Sequence, residues 1–467
     1  LSEDLCFSSA SDLNVLYRRG RASPVDVTKA VLARIERLNP KINAYCLIDA
    51  DKALAAARAS EERWRKNAPL SPLDGVPTSI KDLLLTRGWP TLRGSKAIER
   101  EQAWDEDAPS TARLREAGAV LLGKTTTPEF GWKGVTDSRL TGITRNPWNL
   151  ALTPGGSSGG AAAQVAAGLG PLAVGTDGGG SIRIPASFCG VVGLKPTFGR
   201  VPAWPLSRFG TLACVGPIAR NVRDAATLLG ILARPDARDW RALPPPGEDY
   251  TRSVDRGVEG LKIAFSPALG FAKVRPDVAL AVAKGARLFA ELGAKVEETD
   301  PGFADPTPVF WTHWTVGAYN LVRTVPKKKW PLIEAELMNA VKKGRTTTLS
   351  AYLDAVAARG ALGMTMTLFH QRYDLLVTPS TAVTAFPVGQ LRPTPEADND
   401  WTLWTPFTYP FNLTHQPAIS VPCGFTSDRL PIGLQIVGPL YREDLVLRAA
   451  CAFFEAAAPT LRPKLEC

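Results

Sequence analysis

The sequence predicts a layered α/β protein, and three observations carry that expectation. Apolar residues make up 45% of the 467-residue chain and charged ones 21%, the balance of a globular chain able to bury a substantial core. Its first part holds stretches in which apolar residues recur every three or four positions, the period of a helix with one buried face. Beyond them, short β-rich runs alternate with helical ones, as strands and helices do in stacked layers.

Helices are expected over Ala10 to Arg18, Pro24 to Leu38 and Ala50 to Lys66. Ser23 and Asp49 stand where an N-cap oxygen would take the N–H groups that a first helical turn leaves unpaired. Together these make an N-terminal helical layer, residues 1–70. The strands expected next are Val76 to Ile80, Ala119 to Leu122, Leu172 to Gly175, Lys262 to Phe265, Lys295 to Glu298, Leu375 to Thr378, Ile419 to Pro422 and Leu434 to Val437. Arg234 to Tyr250, with prolines at 244–246, has loop composition. It divides a glycine-rich catalytic core, residues 71–233, from the remainder of the same α/β domain, residues 234–467. Aromatic residues gather in the region 303–410, among them Trp311, Trp314, Trp401, Trp404 and Tyr409.

Composition narrows the function. The net charge of +10 is spread along the chain, and its densest run is only Lys327-Lys328-Lys329, so no nucleic-acid partner is expected. The small-residue stretch Ala161 to Val174 is broken by Gln164, Gly168, Gly170 and Pro171, and no membrane span is expected. The opening residues, LSEDLCFSSASDL, lack the basic end and apolar run of an export signal, so a cytoplasmic location is expected. The 7 cysteines are scattered without a C-x-x-C pair, which fits reduced thiols, and they make no metal set with the 3 histidines.

Several motifs compete for the chemistry. Gly118 to Thr125, GAVLLGKT, matches a phosphate-binding loop letter for letter, but Ala-Val-Leu-Leu between its glycines reads as the strand itself. GGSSGG contains G-x-S-x-G on both Ser157 and Ser158. A nucleophile there would need a histidine, for which His415 is the best placed, and no strand precedes the cluster. Lys81 closes an apolar run in GVPTSIKD, where a strand can carry its side chain into the interior. Burial would lower its pKa and make it a base, and a lysine with two serines supplies the activation that a nucleophilic hydroxyl needs.

GVPTSIKD, NPWNLALTPGGSSGGAAAQVAAG and GTDGGGSIRIPASFCGVVGLKPTFGRVP resemble successive blocks of the amidase signature family, and PAISVPCG with GLQIVGP resembles its C-terminal sheet segment. The resemblance spans about residues 10 to 455. It implies a large mixed central β-sheet covered by helices on both faces. It also implies a serine-dependent amidase in which Ser181 is the nucleophile, Ser157 the bridging serine after a cis Gly156–Ser157 bond, and Lys81 the base. The backbone N–H groups of Gly178, Gly179, Gly180 and Ser181 would form the oxyanion hole. Gly178 and Ala161 depart from the residues common in the family. Asp177 is expected to orient the loop or pair with Arg183, and Ser158 to hydrogen-bond near the relay.

The resemblance implies hydrolysis of aryl or alkyl amides through an acyl-enzyme, with carbamates (a urethanase activity) and esters open to the same serine. No cofactor and no metal is expected; the partner is a small-molecule amide, and the chain a monomer or homodimer. The alternative is the glutamine-hydrolysing subunit of a tRNA-dependent amidotransferase. That subfamily carries an acid before a Phe-Thr pair, and here Leu403-Trp404-Thr405-Pro406-Phe407-Thr408 has none. Trp311, Trp314, Trp404 and Phe407 are the expected substrate-pocket residues.

Overall fold

The protein is described from a computed structural model covering residues 2–247, 249–394, 400–457 and 462–465. The N-terminal helices start where their caps allow. Ser9 and Ser23 accept the N–H groups of Asp12 and Asp26, and those carboxylates return to the cap N–H, so Ala10–Arg18 and Pro24–Ile42 both begin on a capping box. Asp49 accepts the N–H of Lys52 to start Ala50–Arg65. The second helix runs past Leu38 and through Pro40, ending where Asn43 turns left-handed at φ 55. The side chain of Asn39 then accepts the N–H groups of Ala44 and Tyr45 and leads the chain into a strand. The segment 1–70 is therefore not wholly helical, because it also supplies one strand of the sheet.

In chain order the strands are β1 Tyr45–Ile48, β2 Pro77–Lys81, β3 Val120–Thr125, a separate hairpin of β4 Asp137–Ser138 and β5 Gly142–Ile143, then β6 Leu172–Asp177, β7 Val192–Lys195, β8 Cys214–Ala219, β9 Lys262–Phe265, β10 Lys295–Glu298, β11 Leu375–Pro379, β12 Ala418–Phe425 and β13 Pro431–Val437. Every run expected to be a strand forms one. Outside the hairpin they build an 11-stranded sheet in the order β1-β3-β2-β6-β8-β7-β12-β13-β11-β9-β10. Pairing is parallel from β3 through β2 to β6 and from β11 through β9 to β10, and antiparallel elsewhere, which makes the sheet mixed. In β2, β3, β7, β8, β11 and β13 every residue is buried, so helices and loops cover both faces. Antiparallel pairing of β12 with β7 carries the sheet across the loop at 234–250, joining the two halves of the chain.

The topology fixes where the site lies. Strands β2 and β6 are parallel neighbours with Ile80 opposite Val174, so Lys81 and Thr176 emerge at the same edge. Open α/β sheets bind ligands beyond the carboxyl ends of such strands. The helix Gly159–Ala166 lies just before β6 and is buried throughout, and Ser158 is its N-cap residue. Gly156, before it, lies so close to Val135 that a Cβ would sit 2.5 Å from the Val135 carbonyl oxygen. Gly156→Ala is expected to displace Ser157 and lower soluble yield, checked by expression beside the wild type.

Candidate active site

Lys81 ends β2 with 0% of its surface exposed. Its Nζ donates to Ser157 Oγ at 2.7 Å, Ser158 Oγ at 2.9 Å and Thr176 Oγ1 at 2.9 Å. All three partners are neutral hydroxyls. Burial pushes the amine well below its ordinary pKa, and the charge of Asp177 opposes this only in part. A lysine so placed gives up its proton more readily than a solvated one.

The first glycine-serine cluster meets this amine. The Gly156–Ser157 peptide is cis, and Ser157 and Ser158 both contact Lys81. The N–H of Ser158 donates to the carbonyl of Ser181 at 3.0 Å, which ties the first cluster to the second. Ser158 Oγ also donates to the Thr176 carbonyl at 3.1 Å. Ser157 and Ser181 line one cavity.

Asp177 organises the loop that carries Ser181. Its carboxylate accepts the N–H of Gly180 at 2.8 Å and of Ile182 at 3.1 Å, and pairs with the Arg183 guanidinium at 2.9 Å. Burial works to raise its pKa, but Arg183 and Asn412 hold it below the usual carboxylate range. This geometry removes Gly180 from the expected oxyanion donors, because its N–H already serves Asp177. No backbone carbonyl of a described residue takes the N–H of Gly178, Gly179 or Ser181. Gly180 sits at φ 125, and a Cβ there would meet Thr408 Oγ1 at 2.4 Å, so only glycine fits the turn. Asp177→Ala would strand a fully buried guanidinium; it is expected to cost about 3–5 kcal/mol of stability, read from urea unfolding beside the wild type.

The cavity beside the serines encloses about 330 Å³, within the range of small-ligand sites. Its apolar lining includes Leu83, Phe130, Trp204, Phe209 and Trp314. Phe209 stacks on Trp314 with ring centroids 4.2 Å apart. Of the four aromatics expected at the pocket, Trp314 alone lines this cavity. Trp311 turns its ring N–H to Asp400 and Thr402. Trp404 stacks on Phe188 and donates to the Leu391 carbonyl, and Phe407 is fully buried in a core cluster with Leu376 and Phe411. These three belong to the packing. Thr176, Phe130, Trp204 and Phe209 had no sequence signal pointing to the site except the adjacency of Thr176 to Asp177.

The competing motifs lie elsewhere. Lys124 of GAVLLGKT, in the buried strand β3, gives its Nζ to the Leu84 carbonyl and Thr91 and pairs with Asp82 at 3.3 Å. His415 stacks on Phe198 and hydrogen-bonds Arg359, and burial with the Arg359 charge pushes its pKa down to about 3. It does not line the cavity. No disulfide joins two described cysteines, and Cys467 lies outside the described residues.

The Amidase family profile matches residues 26–447 of the chain. An acylamidase of Rhodococcus erythropolis is 40% identical over 476 residues, covering 98% of this chain and 97% of that protein. One subunit of the glutamyl-tRNA(Gln) amidotransferase of Chloroflexus aggregans is 36% identical over 476 residues, covering 96% of each. The crystal structure of a bacterial aryl acylamidase of the amidase signature family superposes with a TM-score of 0.89 at 31% identity, covering 96% of each chain. Among the described residues no helix is long and apolar enough to cross a membrane.

Proposed function

The chain belongs to the amidase signature family and is a hydrolase acting on carbon–nitrogen bonds; we propose that it cleaves aryl or alkyl amides through an acyl-enzyme on Ser181. The observation that carries this reading is the desolvated Lys81 amine 2.7 Å from Ser157, with Ser157 and Ser181 on one cavity. Neutral Lys81 takes the proton of Ser157 as Ser157 takes that of Ser181, and Ser181 Oγ bonds to the amide carbon. The oxyanion so formed is met by the N–H groups of Gly178, Gly179 and Ser181, each good donor lowering the barrier by about 2.7–4 kcal/mol. As the C–N bond breaks, the relay returns a proton to the leaving nitrogen. Water, deprotonated by the same route, then releases the acid and restores Ser181.

Aromatic walls at Trp314 and Phe209 favour an apolar acyl or amine group. Carbamates and esters present the same carbonyl to the same serine. The glutaminase reading, which the amidotransferase relatives bring in, finds less support. Glutamine carries an ammonium group, and among the described residues lining the cavity none is acidic. Asp400, the acid nearest the segment 403–408, caps the turn at Thr402 and accepts from Trp311. The test is a panel of anilides, aliphatic amides, carbamates, esters and glutamine, run on the wild type beside Ser181→Ala. Anilide turnover lost in the variant is the expected result; glutamine as the best substrate would favour the amidotransferase reading.

A further inference from the structure

The proposed hydrolysis leaves two charges of the cavity unused. Arg93 and Arg208 both line it, with no aspartate or glutamate among the described lining residues. No described residue accepts a hydrogen bond from either guanidinium. Asp82, the carboxylate that favours the charge on Arg93, is engaged with Lys124 at 3.3 Å and with the backbone N–H groups of Arg93 and Gly94. Burial and the nearby charge of Arg208 both act against Arg93, yet an arginine cannot shed its proton to escape. Arg93 is thus half-buried, with its nearest carboxylate already paired to Lys124, and the exposed Arg208 adds a second positive charge at the cavity.

The backbone holds Arg93 in place. Its φ is 56, that of Phe130 is 51, and the Phe130 N–H donates to the Arg93 carbonyl at 2.7 Å. Bulky residues adopt this left-handed conformation rarely, and where they do the surroundings enforce it, often beside a ligand. Here both residues line the same cavity as Ser157 and Ser181.

We infer that Arg93, with Arg208 at the same cavity, binds a carboxylate of the substrate, so that the preferred amides carry an acid group on the far side of a short apolar spacer. A guanidinium meets a carboxylate through two parallel N–H bonds, which gives orientation as well as affinity. The spacer lies against Phe130, Phe209 and Trp314, and the scissile carbonyl reaches Ser181. This inference rests on the proposed role of Ser181, and its test is separable from that role.

The experiment compares glutaryl-4-nitroanilide with butyryl-4-nitroanilide, for an acid on the acyl side, and 4-butyramidobenzoate with butyranilide, for an acid on the amine side. Binding to Ser181→Ala is measured by calorimetry and kcat/KM on the wild type. At least one acid-bearing amide is expected to bind about tenfold or more tightly than its neutral partner, with the difference shrinking as salt is raised. Adding Arg93→Gln to Ser181→Ala is expected to bring that ratio close to one, while Arg93→Lys keeps part of it. Equal binding of acid and neutral members in both pairs overturns the inference, as does a ratio that survives both Arg93→Gln and Arg208→Gln. Turnover retained by Ser181→Ala would overturn the nucleophile assignment instead, and an acid preference lost with Arg93 would still support the inference.

Discussion

Ser181→Ala is expected to cut anilide turnover by about four to six orders of magnitude, to the level left by binding and oxyanion stabilisation alone. Only one atom is removed. The residue is held by its backbone, whose carbonyl accepts from Ser158 at 3.0 Å, and by a loop that Asp177 anchors through Gly180 and Ile182. Alanine keeps all of those bonds, so the unfolding midpoint in urea should match the wild type, within about 0.5 kcal/mol of stability. Intact-mass measurement after rapid quenching should find one acyl group on the wild type and none on the variant, and a fluorophosphonate probe should label only the wild type. Ser157→Ala is a sharper companion, because Lys81 Nζ would keep Ser158 and Thr176 as partners and stay in place. A large loss there reports the missing proton bridge rather than a misplaced lysine. Turnover retained in Ser181→Ala would remove it as nucleophile.

Much of this is legible in the sequence because the chemistry is packed into short segments. Lys81 closes a five-residue strand, and Ser157, Ser158, Thr176, Asp177 and Ser181 all lie within the glycine-rich stretch around β6. Contiguous residues on successive elements of a parallel sheet emerge at one edge, so motif order translates directly into proximity. Strands β7 and β8 escape a reading by pattern because glycine in VGLK and glycine with proline in CVGPIA fall inside the segment and leave apolar runs of no more than two residues. The cavity walls escape it for a different reason. An aromatic residue in sequence does not say which way it faces: Trp311 and Trp314 lie on the same helix, Thr307–Val322, and only Trp314 turns to the serines. Arg93, Phe130 and the neighbouring Trp204 and Phe209 come from three separate segments of the chain, and only the folded sheet brings them together. Gly180 shows the limit of reading roles from composition. Four consecutive backbone N–H groups are equivalent in sequence, and one of them is already taken by the carboxylate that shapes the loop.

Replacing Lys81 by methionine is expected to lower turnover by about two to four orders of magnitude, the usual contribution of a positioned base, and to remove one pH-dependent component of stability. In the unfolded chain a lysine holds its proton up to about pH 10.4. In the native protein burial pushes Lys81 well below that, so between the two values the unfolded state binds one proton more than the native state. Stability then rises with pH across that interval by about 1.4 kcal/mol per unit and levels off above pH about 10.4. It also levels off below the native pKa, where both states carry the proton. The variant has no such group. Urea unfolding of the two proteins in parallel, from about pH 6 to about pH 10, should therefore show the wild type gaining on Lys81→Met as pH rises, while titrations common to both cancel. The same ionisation sets the acid limb of wild-type kcat/KM, which should fall tenfold per unit below the native pKa. Coincidence of the kinetic limb with the onset of the stability difference would tie the proton removed from Ser157 to this one amine. A stability difference flat across the whole range would mean that native Lys81 keeps its proton at working pH, and it could not then serve as the base.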